Sequence, residues 1–160
     1  MVIAIFARER MLADALTREA LARGHKVRCY QGRLSDYATL RETVSGADGA
    51  VCALCYPPEP RLRPELEAGV RNVIYALEEE ETASLAALVP AENRASWRLW
   101  FGRRFRSDWM KTAQRMRAAR RPWMIVPQRA RIYRREAETA IDLLDALEKD
   151  VQKERAYDRS

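Results

Sequence analysis

The chain has 160 residues, 48% of them hydrophobic and 32% charged, with a formal net charge of +6. That length holds one hydrophobic core, the composition is that of an ordinary soluble protein, and no apolar run approaches the roughly 20 residues that cross a bilayer, so a membrane partner is not expected. The first apolar run is too short for a secretory leader and has no charged region ahead of it, and three cysteines without framework spacing point to a reducing compartment such as the cytoplasm.

Val2 to Phe6 form a continuous apolar run rich in β-branched and aromatic residues, which predicts a strand buried on both faces. Leu12, Leu16, Ala20 and Leu21 then recur at helical spacing, and Gly24 stands where a helix end needs positive φ. Lys26 to Tyr30 reads as a short second strand. Ser35-Asp36 caps a helix with Tyr37, Leu40 and Val44 on one face, ended by Gly46. Gly49 to Leu54 is the next buried strand, and the prolines between Cys55 and Pro60 rule out its continuation. A helix from about Pro64 carries the stripe Leu66, Val70, Val73, Ile74 and Leu77, and the acids Glu78 to Glu81 form its solvated end.

Leu85 to Val89 is a strand ended by Pro90, and Ser107-Asp108 begins a helix reaching about Ala119. Trp123 to Val126 is a further buried strand, and Glu136 to Val151 is a last helix with Ala137, Ala140, Ile141, Leu144, Leu147 and Val151 on one face. Strands alternating with helices imply α/β architecture with parallel pairing and right-handed crossovers. One domain over residues 1–152 and a polar tail over 153–160 account for the chain.

Three constellations carry chemistry. Arg8 and Arg10 lie beside the start of the first helix, where dipole and guanidinium donors together favour a phosphate-bearing ligand; the plainer alternative is ion pairing with Glu9 or Asp14. Cys52 and Cys55 form a Cys-x-x-Cys pair, but strand alternation points them to opposite faces, the only histidine, His25, falls in a turn, and Cys29 is separated from them by the first strand. Free thiols and no metal are therefore expected.

The third constellation is the basic-aromatic segment. Between Arg94 and Arg121 ten basic residues, nine Arg and Lys111, face the single acid Asp108 and give +9, while the remainder of the chain sums to −3. Within it Trp97, Arg98, Trp100, Phe101, Arg103, Arg104, Phe105, Arg106 and Trp109 interleave bases with rings. That pattern suits base stacking with phosphate contact, and it suits a protein interface or plain packing of rings under solvated arginines. No recognisable nucleic-acid-binding motif accompanies it.

The order of these segments resembles the NmrA-like branch of the atypical short-chain dehydrogenase/reductases. Residues 3–6 with 16–27 look like the family's first strand, helix and start of strand two; Gln31 to Asp36 looks like the segment after strand three; Gly46-Ala47-Asp48 introduces strand four; Gly69 to Ile74 is similar to helix four; and Lys111 to Pro127 resembles the helix and strand before the substrate side. The resemblance implies a three-layer Rossmann-like α/β fold, a doubly wound parallel sheet of about five strands in the order 2-1-4-5-6 counted on the family's strands, with one edge strand and helix lost. It also implies NAD(P), held by Ala7, Arg8, Glu9, Arg10, Met11, Leu12, Arg33, Leu54 and Cys55.

Four departures fall on the family's chemistry. The Gly-x-x-Gly-x-x-Gly turn aligns with Ala7, Arg10 and Ala13; strand two runs into the segment after strand three, with Arg33 where an acid is usual; the end of the fifth strand reads Val89-Pro90-Ala91 in place of a serine; and Ser107, not tyrosine, stands four residues before Lys111. The expectation is a degenerate member without ordinary dehydrogenase activity, with no cofactor and no catalytic residue assigned. It would act as a binding, regulatory or complex subunit, with a protein partner or a second copy, and with room for an anionic ligand near Arg8 and Arg10. The alternatives are an NAD(P)H-dependent reductase with a non-standard loop, and nucleic-acid binding through residues 94–121.

Overall fold

A computed structural model describes residues 1–54, 63–82, 84–90, 124–128 and 136–157. In chain order its elements are β1 (Val2–Ala7), α1 (Arg10–Ala22), β2 (Lys26–Cys29), α2 (Tyr37–Val44), β3 (Gly49–Ala53), α3 (Arg63–Glu79), β4 (Ser84–Pro90), β5 (Met124–Gln128) and α4 (Glu136–Tyr157). The five strands are parallel, in the order β2-β1-β3-β4-β5. With the family's third strand left out of the count, this is the expected order.

Strand alternation sorts the core into two layers. Ile3, Ile5, Val51, Ala53, Ala86 and Leu88 turn to α1 and α4, where Leu12, Leu16, Leu143, Leu144 and Leu147 cover them. Ala4, Phe6, Ala50, Cys52, Leu85 and Ala87 turn to α2 and α3, against Leu40, Val44, Val73 and Leu77. Each fully buried large side chain contributes about 1.5–3 kcal/mol of burial, so the sheet with its two helical layers is one cooperative core.

Local signals set the helix ends. Asp36 caps α2, its carboxylate accepting from the Thr39 N–H at 3.3 Å and the Thr39 hydroxyl at 2.7 Å. α1 closes in a Schellman motif: the His25 N–H donates to Ala20 and the Gly24 N–H to Leu21, both at 3.0 Å, with Gly24 at φ +77.

Some expectations are corrected. Leu21 is 56% exposed and Ile141 39% exposed, so the buried stripes of α1 and α4 are narrower than their apolar periodicity suggests. The last helix continues past the expected Val151 to Tyr157, and Arg155 within it donates to Asp48 at 2.9 Å. β4 includes Pro90 as its last residue, and Pro127 lies within β5, which has only β4 beside it among the described residues; an edge strand tolerates the missing N–H.

Candidate functional site

Strand order turns back between β1 and β3, and in open α/β sheets the ligand crevice lies outside the carboxyl ends at such a point. Ala7 ends β1 there, Arg8 and Glu9 follow it, and Leu54 follows β3. The sequence singles out these positions, and the fold brings them together.

Glu9 defines the geometry. It is the N-cap of α1, at φ −81 and ψ 122, and its carboxylate bends back over the helix it starts. The Met11 N–H donates to Oε1 at 3.0 Å and the Leu12 N–H to Oε2 at 2.6 Å. These two amides belong to the set that a helix N-terminus leaves without intrahelical partners, the same set that binds phosphate in dinucleotide sites. Here the chain's own carboxylate takes them.

The neighbouring side chains are differently placed. Arg10, the first residue of α1, is 93% exposed and lies 3.9 Å from Asp14. Arg8 is half-buried, Met11 is exposed, and Leu12 is fully buried beneath α1. Leu54 is buried in the layer under α2 and α3, so its side chain serves the core and only its backbone borders the crevice. Cys55, the expected interaction residues Trp97, Arg98, Trp100, Phe101, Arg103, Arg104 and Arg106, and the stretch from Ser107 to Trp123 lie outside the described residues.

Beside β1, the loop after β2 folds on itself. Tyr30 packs against Phe6 with the rings tilted by 38° and their centroids 5.6 Å apart, and its hydroxyl donates to the Arg33 carbonyl. The Asp36 N–H donates to the same carbonyl at 2.8 Å, while the Arg33 side chain is exposed. Burial first, and then the charge of Asp36, push the Tyr30 phenol up, so it stays a donor. A Cβ at Gly32 would lie 2.6 Å from the Tyr30 hydroxyl, which is why glycine suits this turn. Asn72 of α3 donates to the Leu34 carbonyl at 2.9 Å, and Gly69 leaves room for the Leu34 side chain.

Tyr30, Asn72 and the capping role of Glu9 escape sequence reasoning. Only Glu9 leaves a signal, an acid three residues before the first buried helix position. Cys52 is a buried free thiol, pushed up to about 11 by burial, and has no thiolate chemistry at neutral pH. Among the described residues no group of His, Cys, Asp or Glu could hold a metal, and no helix is long and apolar enough to cross a membrane.

A doubly wound parallel sheet with this switch point defines the Rossmann-like class. No protein-family model matches the chain, and neither does any curated protein. Solved structures do match its fold. A Rossmann-fold NAD(P)-binding family protein from Shigella flexneri superposes with a TM-score of 0.60 at 12% identity, over 90% of this chain and 86% of that one. An anaerobillin reductase from Escherichia coli gives 0.60 at 12% identity, over 91% and 89%. A nucleoside-diphosphate-sugar epimerase from Staphylococcus aureus gives 0.58 at 14% identity over 79% of this chain, which spans 50% of the epimerase's length. At these identities the likeness is one of fold.

Proposed function

We propose that this chain is a degenerate, shortened NmrA-like Rossmann protein that acts by binding a partner protein, as a regulatory or complex subunit, and has no ordinary dehydrogenase activity. The observation that carries this reading is the Glu9 carboxylate on the Met11 and Leu12 amides. A dinucleotide in the family pose needs those donors for its pyrophosphate and would bring negative charge against a carboxylate. Ala7, Arg10 and Ala13, in place of glycines, further close the backbone approach. The residues present therefore do not fit NAD(P) in that pose, and no hydride-transfer step is assigned to them. An anionic ligand near Arg8 and Arg10 would be left with guanidinium donors alone.

Calorimetric titration of the full chain with NADPH and NADH tests the reading. No heat of binding up to millimolar dinucleotide is expected. Micromolar affinity would overturn it in favour of an NAD(P)H-dependent reductase with a non-standard loop.

A further inference from the structure

Among the described residues β2 is the last strand of the sheet on its side. The Lys26 N–H donates to Met1 at 2.8 Å and the Tyr30 N–H to Ile5 at 2.9 Å, so Lys26, Arg28 and Tyr30 turn their backbone groups toward β1. Parallel strands alternate in this respect, and Val27 and Cys29 turn theirs outward, away from the sheet. Residues 30–36 return to α2 without forming another strand beyond β2.

The two faces of this edge differ in chemistry. On the α2 side stand Lys26 and Arg28, both exposed; the Arg28 guanidinium is aimed by its bond to the Ser45 carbonyl at the end of α2. On the α1 side stand Val27, half-buried, and Cys29, exposed, whose sulfur lies 3.1 Å from the Thr17 hydroxyl. That hydroxyl also donates to the Ala13 carbonyl at 2.8 Å, which leaves the thiol as donor to it. Leu21 follows Thr17 by one turn on the same side of α1 and is 56% exposed, a leucine held over the edge instead of in the core.

We propose that the β2 edge receives an extended strand from a partner protein, one that alternates acidic residues, facing Lys26 and Arg28, with apolar residues, facing Leu21 and Cys29. The proposal takes the partner-binding role above as its starting point and names the partner's chemistry. Main-chain bonds to Val27 and Cys29 would supply affinity, and the two-faced edge would supply selectivity. A second copy of the chain is a poor occupant, because pairing β2 with itself brings Lys26 and Arg28 against their own kind.

The test uses the full ¹⁵N-labelled chain and two synthetic hexapeptides, one alternating glutamate with valine and one alternating lysine with valine. The acidic peptide is expected to bind at least about tenfold more tightly and to slow amide exchange at Val27 and Cys29 while leaving Lys26 and Tyr30 unchanged. Val27→Pro removes one outward donor without touching the bonds to β1 and should weaken binding about tenfold, at a modest cost in thermal midpoint because Val27 also packs against the core layer under α1. If that variant is unstable, Leu21→Glu should weaken the acidic peptide alone. Equal binding of the two peptides, no change in exchange at Val27 and Cys29, or protection of those amides in the free, dilute chain would each overturn the proposal. Dinucleotide binding would overturn the functional reading and leave this result standing.

Discussion

At the amino ends of the strands the polar bonds join elements far apart in the chain, whereas in the described turns at the carboxyl ends of β1 and β2 most stay within a single turn. At the amino ends Asp48 accepts from the Val2 N–H at 2.7 Å and from Arg155, and Arg41 of α2 meets Glu80 beyond α3 at 2.5 Å. Nearby, Arg23 reaches Asp145 at 2.6 Å and Glu148 at 3.3 Å, and His25 meets Glu148 at 2.7 Å. In the described turns at the carboxyl ends Glu9 bonds to Met11 and Leu12, Tyr30 to Arg33 and Asp36 to Thr39, while the bonds of Asn72 to Leu34 and of Thr17 to Cys29 reach further along the chain. The bonds at the amino ends tie neighbouring helices to one another and, through Arg155 and Asp48, α4 to the sheet. In the described turns after β1 and β2 the first donors of α1 and α2 are satisfied locally, by Glu9 and Asp36.

The largest effect expected from this contrast comes from the amino ends. Burial works against the charge of Arg23, yet its hydrogen bonds to Glu19, Asp145 and Glu148 raise its pKa, and three carboxylates depend on it. Arg23→Ala should cost about 2 kcal/mol, lowering the midpoint of thermal unfolding followed by circular dichroism by roughly 4–8 °C. An unchanged midpoint would mean that the bonds from Arg23 to α4 do not stabilise that helical layer.

Acid should act on the same end. The Val2 N–H first, and Arg155 after it, hold the Asp48 carboxyl below its ordinary 3.8 against the opposing effect of burial. Burial also opposes the charge of Glu148, but His25 and Arg23 outweigh it and keep that carboxyl below 4.5. Both groups bind protons more readily in the unfolded chain. Their stabilisation is therefore present above those values and lost as pH falls through the lower folded ones. Urea unfolding measured from pH 6 to pH 3 should show a drop in stability that is shallower in an Asp48→Asn, Glu148→Gln double variant. Parallel curves would place the acid sensitivity elsewhere.

Periodicity makes the elements legible because each strand and helix here buries a face with the period of its own geometry. Leu21 and Ile141 mark where that logic stops. An apolar residue at helical spacing is buried only where another element covers it, and no described element covers Leu21. The candidate site was legible by position but not by chemistry. Strand-turn-helix order locates the turn after β1, yet glutamate is not among the preferred capping residues, so the role of Glu9 depends on a backbone geometry that composition does not reveal. Tyr30 is similar, since closing its hydroxyl on Arg33 requires the room that Gly32 leaves.

The carboxyl ends supply the smallest and most discriminating effects. In the sequence, Arg10 stands at the middle glycine position of the family turn and suggests an anion site built from guanidinium donors. In the structure its side chain is solvated, and Glu9 holds the helix donors. If Glu9 is the group that shapes the turn, Glu9→Ala should cost about 1 kcal/mol, the usual loss for a cap, and lower the thermal midpoint by roughly 2–4 °C. Arg10→Ala should leave it unchanged within error, because an exposed pair at 3.9 Å contributes little. The opposite ranking, with Arg10 the costlier loss, would mean that the arginine and not the carboxylate organises the entrance to the fold.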